Sequence, residues 1–320
     1  MSERARVVIL RELLPAGRER LERSFRVESL GLDATREEML AGAVGADALV
    51  TDLTFAVDGE LLDAAGPQLK VVANFGVGYD NVDLAACGER GVTVTNTPDA
   101  LTNATAELAL ALAMSAARDL PGAERDLRAG SWRGWDPRRW RGFELSGATI
   151  GVVGAGRIGG RFMELVSGFG GHRLYTSRRR KKNHLEEKLG ARHVELDELL
   201  RSSDLVSLHL PGGPETEGLI GERELGLMKP TAVLVNTGRG SLVDSVALAR
   251  ALEDGRIGAA GLDVFAGEPT VPPELLAAPR VSLAPHIGSA TFRARDEMSR
   301  IVAGNVTAVL DGRTPPNPVS

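Results

Sequence analysis

Val152-Val153-Gly154-Ala155-Gly156-Arg157-Ile158-Gly159 lies near the middle of a chain of 320 residues. An apolar run, Thr149 to Val153, precedes it, and Ile158, Phe162, Leu165, Val166 and Phe169 recur at helical spacing behind it. Strand, glycine turn and helix in that order form a phosphate cradle. Gly154 permits the tight bend, Gly156 lets the backbone approach a pyrophosphate, and Gly159 lets the helix pack on its strand. The helix opening at Arg157 and Ile158 then presents unpaired N–H groups to the phosphates. With 38 glycines in the chain, a string of this form arises by chance, so the flanking strand and helix carry the reading.

Before the turn, strand-like runs at Val7–Leu10, Ala48–Val50, Val71–Asn74 and Val92–Val94 alternate with helical ones at Arg18–Arg23, Arg36–Ala41, Glu60–Ala65 and Leu84–Arg90. After it, strands are expected at Arg173–Thr176, Leu205–Leu208, Ala232–Asn236, Ala259–Asp263 and Val281–Leu283. The alternation predicts two α/β units with parallel sheets in tandem. Thr102 to Ala117, rich in Ala and Leu, reads as one long helix leading out of the first unit. The helical stretch Ala290 to Leu310 is too short for a third domain and is expected to pack back on the first unit. The nucleotide domain, residues 100–284, is then an insertion in a discontinuous outer domain of residues 1–99 and 285–320.

Hydrophobic content of 43% and charged content of 25% are those of a soluble globular protein. A net charge of −5 offers no reason to seek nucleic acid or an anionic membrane, so small molecules are the expected partners. Cys87, the single cysteine, excludes an intrachain disulfide and a Cys-based metal site, and no His/Asp/Glu spacing marks a catalytic metal. The charged start of the chain and the short run Val7 to Leu10 do not read as a signal peptide, and no segment reaches the roughly 20 apolar residues of a membrane span. A cytoplasmic location is expected.

The strand after the glycine helix usually ends in an acid that binds the adenine ribose. Here it runs into Ser177-Arg178-Arg179-Arg180-Lys181-Lys182, with no carboxylate. A hydroxyl followed by guanidinium forks suits the 2′-phosphate of NADP, which predicts NADP(H) over NAD(H), with NAD(H) still admitted. The same run is also compatible with a plain solvated loop.

Three polar segments follow later strands: Asn236-Thr237-Gly238-Arg239-Gly240, Gly261 to Pro269, and Pro285-His286-Ile287-Gly288-Ser289-Ala290-Thr291. Ligands bind at the carboxyl ends of strands in such sheets. Arg239, Glu268 and His286 are a sensible set for reducing a 2-keto acid: Arg clamps the carboxylate and polarises the carbonyl, His donates the proton, and Glu holds the imidazole. Singly, each is an ordinary turn or core residue. The set, in order behind strand ends, points to chemistry.

With these segments, with Asn74-Phe75-Gly76-Val77-Gly78-Tyr79-Asp80-Asn81-Val82-Asp83, and with the end Pro315-Pro316-Asn317-Pro318-Val319, the chain resembles the D-isomer-specific 2-hydroxyacid dehydrogenases over nearly its whole length, most of all their glyoxylate/hydroxypyruvate reductase branch. The resemblance implies two Rossmann-like or flavodoxin-like parallel-sheet domains and NADPH-dependent reduction of a small 2-keto acid to a 2-hydroxy acid of D configuration. It implies that Arg239 binds substrate, that Glu268 and His286 form the acid–base pair, and that the amides of Val77 and Gly78 hold the carboxylate. It places Asp263 at the nicotinamide carboxamide and Thr105, Leu210, Pro211, Thr216, Thr237, Gly238 and Gly288 along the cofactor. It also implies homodimers joined through the nucleotide domains, with Trp132, Trp135 and Trp140 in the dimer arm.

Two rivals stay open at this point. One is a nicotinamide-cofactor-sensing, corepressor-like binding protein with the same Arg/Glu/His set, and the other is a short D-3-phosphoglycerate dehydrogenase.

Overall fold

The computed structural model describes residues 4–319. The chain divides into two compact units, one running up to Leu101 and resuming at Ala290, the other spanning Thr102–Ser289.

The first unit is built on a five-stranded sheet of β1 (Arg6–Ile9), β2 (Arg26–Ser29), β3 (Ala48–Thr51), β4 (Val71–Asn74) and β5 (Thr93–Thr95), in the order β2-β1-β3-β4-β5 and parallel throughout. β1, β3 and β4 are almost wholly buried, as expected of parallel strands covered on both faces. Their Val, Ile, Leu and Ala side chains feed two apolar clusters, one on each side of the sheet. The helix Phe292–Leu310, capped by the Thr291 hydroxyl on the Ala294 amide, returns to this unit and buries Val302, Ala303 and Val306 beside Val7 and Ile9. It lies so close to the helix Pro15–Glu22 that a Cβ on Gly17 would collide with the Ser299 carbonyl. The Ser299 hydroxyl donates to the Leu14 carbonyl at 2.9 Å.

The second unit carries seven parallel strands, β6 (Ile150–Val153), β7 (Arg173–Thr176), β8 (Arg192–His193), β9 (Leu205–Leu208), β10 (Val233–Asn236), β11 (Ala259–Leu262) and β12 (Val281–Leu283), in the order β12-β11-β10-β9-β6-β7-β8. The chain winds outward in both directions from β6, so the strand order reverses beside it. The helix Thr102–Ala117 packs its alanines against the sheet and against Phe162 and Met163 of the helix Arg157–Val166. Together the two structures make a two-domain α/β protein with both sheets parallel.

The units divide at 101/102 and 289/290, a few residues from the boundaries expected at 99/100 and 284/285. The reason is local. Asp263 binds the amides of Ile287 and Gly288, and the Thr105 hydroxyl donates to the Gly288 carbonyl at 3.0 Å, so the segment carrying His286 stays with the second unit. Among the described residues no helix is long and apolar enough to cross a membrane.

Candidate active site

In the second unit the loops after β6, β9 and β10 meet at the point where the strand order reverses. Gly154 adopts φ +94°, a conformation open mainly to glycine, and a Cβ there would lie 2.8 Å from the His209 carbonyl carbon and from Leu210 Cδ2. On the other side, a Cβ at Gly238 would lie 2.8 Å from the Leu210 carbonyl oxygen. The three loops therefore pack backbone to backbone, leaving Pro211 exposed beside them. Gly156, the N-cap of the helix Arg157–Val166, has nothing within 4 Å of where a Cβ would stand, while a Cβ at Gly159 would collide with the Gly154 carbonyl.

Two further observations fit a dinucleotide at this edge. The hydroxyl of Thr237 is buried with no hydrogen-bond partner among the described residues, and the open face of Gly156 sits at a helix N-terminus. The Thr216 hydroxyl instead turns into its own loop, donating to the Pro211 carbonyl at 2.9 Å.

At the end of β7 the Ser177 hydroxyl donates to the Arg179 carbonyl at 2.7 Å and folds the basic run into a turn, with Arg178 and Arg179 exposed. Arg180 is committed elsewhere: its guanidinium pairs with Glu186 at 2.7 and 3.1 Å. The Tyr175 hydroxyl donates to the same carboxylate at 2.7 Å, so the nearby acid is spent inside the protein.

Arg239, Glu268 and His286 follow the neighbouring strand ends of β10, β11 and β12. Asn236 closes β10 and is itself buried; its Nδ2 donates to the Arg239 carbonyl at 2.8 Å while its Oδ1 accepts from the Gly238 amide at 3.0 Å. This side chain shapes the turn that carries Arg239, whose Nη1 also donates to the Gly238 carbonyl at 2.9 Å. A Cβ at Gly240 would collide with the Phe265 carbonyl group, so the Arg239 loop and the Glu268 loop touch through their backbones.

Glu268 accepts from the Phe265 amide at 2.8 Å through Oε1, and its Oε2 lies 2.6 Å from Nδ1 of His286. Burial pushes the Glu268 carboxyl up, but the bonds from His286 and the Phe265 amide, with the charges of His286 and Arg239, outweigh it and hold the group below its ordinary value. Arg239 is thus close enough to bias the Glu268 charge.

His286 sits at φ 51°, a conformation costly for a residue with a side chain. Asp263 holds it there. The His286 amide donates to the Asp263 carbonyl at 2.9 Å, and the Asp263 carboxylate accepts from the amides of Ile287 at 2.7 Å and Gly288 at 2.8 Å. Burial drives the Asp263 carboxyl up despite these bonds. Each of its oxygens keeps a second lone pair for a bound molecule.

Val77 and Gly78 lie in the first unit, half-buried in the loop after β4. The three tryptophans lie on the surface of the second unit, Trp135 most exposed at 85%, with Arg139 stacked 5.1 Å from the Trp140 ring.

Residues 110–288 match the profile of the D-isomer specific 2-hydroxyacid dehydrogenase NAD binding domain. A glyoxylate reductase from Thermococcus gammatolerans is 47% identical over 321 residues, covering 98% of this chain and 96% of that one. The chain belongs to the D-isomer-specific 2-hydroxyacid dehydrogenase family. As such a dehydrogenase it is an oxidoreductase with an NAD-binding domain. Among solved structures, this dehydrogenase superposes on a Thermus thermophilus protein with a TM-score of 0.92 at 42% identity, covering 98% of this chain and 100% of the other. An NADPH-dependent glyoxylate/hydroxypyruvate reductase from Sinorhizobium meliloti, in complex with NADP and malonate, superposes with a TM-score of 0.86 at 35% identity, covering 99% and 97%.

Sequence reasoning overlooked Asn236 in this dehydrogenase. The signal was present: β4 and β10 both end in Asn followed by X-Gly-X-Gly, as Asn74-Phe75-Gly76-Val77-Gly78 and Asn236-Thr237-Gly238-Arg239-Gly240. His209 packs beside the glycine turn, with Nε2 2.9 Å from the Ser207 hydroxyl and its ring 5.2 Å from that of Phe162.

Proposed function

We propose that this family member reduces a small 2-keto acid of the glyoxylate or hydroxypyruvate type to the 2-hydroxy acid, D-configured where C2 is chiral, and takes NADPH in preference to NADH. The observation that carries the reading is the Glu268–His286 pair at 2.6 Å, with Arg239 beside it, on the sheet that also bears the glycine turn. The relatives named glyoxylate reductase, and the Sinorhizobium enzyme described as NADPH-dependent, support the substrate and cofactor classes.

A reduced nicotinamide dinucleotide, when bound, supplies hydride to C2 of the keto acid. The residues to hold it are Gly154, Gly156, Arg157, Ile158 and Gly159 at the pyrophosphate, and Ser177, Arg178 and Arg179 at the 2′-phosphate. Thr105, Leu210, Pro211, Thr216, Thr237, Gly238, Asp263 and Gly288 follow along its length. Arg239 pairs with the substrate carboxylate and draws electron density from the carbonyl, and the amides of Val77 and Gly78 take the carboxylate as well. With Nδ1 of His286 engaged by Glu268, Nε2 is the nitrogen that passes a proton to the carbonyl oxygen, and the carboxylate stabilises the ring while it is charged. One keto acid, one NADPH and one proton become one hydroxy acid and one NADP⁺.

In this reading the outer unit is the substrate domain and the unit from Thr102 to Ser289 is the NADP-binding domain. Two copies pair through the latter, and the enzyme works in the cytoplasm. The test is a panel of 2-keto acids assayed with NADPH and then NADH. Turnover of glyoxylate or hydroxypyruvate is expected, with kcat/KM about tenfold or more higher for NADPH, the worth of one or two charge-assisted phosphate contacts. Absence of turnover with every 2-keto acid and both cofactors would overturn the reading in favour of a binding protein.

A further inference from the structure

The loop Phe75 to Tyr79 is held by its carbonyls. The Gly76 carbonyl accepts from the Thr97 amide at 3.0 Å, the Val77 carbonyl from Asn96 Nδ2 at 2.8 Å, and the Gly78 carbonyl from Asn74 Nδ2 at 2.7 Å. Three consecutive peptide groups are thus pinned through their carbonyls by residues at or just beyond the ends of β4 and β5. In a trans peptide the N–H points opposite to the C=O of the same plane, and the only cis bond among the described residues is Glu268–Pro269. The N–H groups of Val77, Gly78 and Tyr79 therefore turn away from those anchors, and among the described residues none of the three donates to another group. Consecutive outward N–H groups form a concavity for an anion.

The anchors are specific to a carboxamide. Asn74 is fully buried, and its Oδ1 faces the Thr51 hydroxyl at 3.4 Å, which leaves Nδ2 for the Gly78 carbonyl. Among the described residues the Asn96 side chain makes one hydrogen bond, from Nδ2 to the Val77 carbonyl. An aspartate at either place would set a carboxylate oxygen against a carbonyl oxygen, a repulsion in place of a bond.

We propose that Asn96 and Asn74 are positioning residues for substrate binding, which shape a three-amide carboxylate nest from Val77, Gly78 and Tyr79. The proposal rests on the 2-keto acid reduction proposed above and adds the third donor and the two side chains that aim all three. Neither asparagine touches the substrate; each acts through the peptide plane it holds.

The test uses steady-state kinetics on the full chain with NADPH and glyoxylate, for Asn96→Asp and Asn96→Ala, with Asn74→Ala as a third variant. The half-buried Asn96 is the better site, since a charge at Asn74 would strain folding itself. The expected result is a rise in KM for glyoxylate of about tenfold or more in Asn96→Asp and about three- to tenfold in Asn96→Ala, the worth of one hydrogen bond lost or reversed. Meanwhile kcat at saturation and KM for NADPH stay within about threefold, because ground-state and transition-state binding fall together. An unchanged KM for glyoxylate in both Asn96 variants would overturn the proposal. So would a parallel fall in kcat, NADPH affinity and Tm, which marks a merely structural role. Wild-type protein that turns over no 2-keto acid would instead remove the underlying function, a result separable from either of these.

Discussion

Nδ1 of His286 lies 2.6 Å from Oε2 of Glu268, and the other oxygen of that carboxylate is held by the Phe265 amide at 2.8 Å. The imidazole is therefore oriented by a group that is itself fixed, and its Nε2 is the free end of the relay. Replacing His286 by Ala removes the proposed proton donor, and kcat for keto-acid reduction should drop by about 10² to 10⁴. A loss under about threefold in single-turnover reduction would assign proton delivery to another group.

Glu268 also links activity to acid stability. Its folded carboxyl titrates below the ordinary value of 4.5, whereas the unfolded chain regains that value. Between the two the unfolded state binds more protons, so the stabilisation is complete above about 4.5 and disappears as pH falls through the depressed folded value. Glu268→Gln should be less stable than wild type near neutrality, and the two urea-denaturation midpoints should converge in acid. A constant offset at every pH would show that charge has no part in the effect.

Arg239→Lys keeps the charge and loses the planar fork. Because the guanidinium serves both the carboxylate and the carbonyl in the proposed reaction, kcat/KM should fall by about 10²-fold, more than a like-for-like swap implies. Equal kcat/KM in the two proteins would rule out a bidentate clamp.

Arg178 and Arg179 are the exposed guanidinium groups of a run in which Arg180 is already paired with Glu186. The double change to Ala should raise KM for NADPH by about tenfold or more and leave KM for NADH near its starting value. Equal changes for both cofactors would place the 2′-phosphate elsewhere.

His209 offers a pH dependence that has nothing to do with catalysis. Desolvation pushes its imidazole down to about 3, from an ordinary 6.5. The folded protein keeps it neutral while the unfolded chain protonates it, so stability is full above about 6.5 and declines by about 1.4 kcal/mol per pH unit as pH falls toward 3. His209→Phe, which fills similar space beside Phe162, should flatten that decline in urea melts between about pH 7 and pH 5. An unchanged slope would assign the acid sensitivity to other groups.

Much of the architecture was legible because buried parallel strands are continuous apolar runs. β6, β7, β9, β10 and the helix Thr102–Ala117 fall within a residue of where composition puts them. β2 was missed for the opposite reason: Arg26-Val27-Glu28-Ser29 is a half-exposed edge strand, paired only with β1, and its polar sequence carries no strand signal. The helix Leu120–Arg128 was hidden by Pro121 and Gly122, which read as a break but sit in its first turn, where proline is tolerated and the Asp119 carboxylate caps the Gly122 amide. The helix Phe292–Leu310 starts later than its composition implies because the hydroxyl of Thr291 caps it.

The placement of Arg239, Glu268 and His286 behind successive strand ends was legible from their order in the sequence, yet their supports were not. Asn236 and Asp263 act through the main chain, on Arg239 and His286 respectively, and residue type alone does not reveal which peptide group a side chain will reach. The location of Thr237 at a strand end was readable, but its unpartnered hydroxyl emerges only once the surrounding loops are packed.

At Gly240 the main chain leaves no space for even a methyl group against Phe265. The turn bearing the guanidinium and the turn bearing the carboxylate are consequently machined to one tolerance, like two gears cut for a single shaft spacing. Directed evolution of substrate range would do better to diversify the lining around this assembly than to randomise either turn alone, since relaxing one misaligns the other.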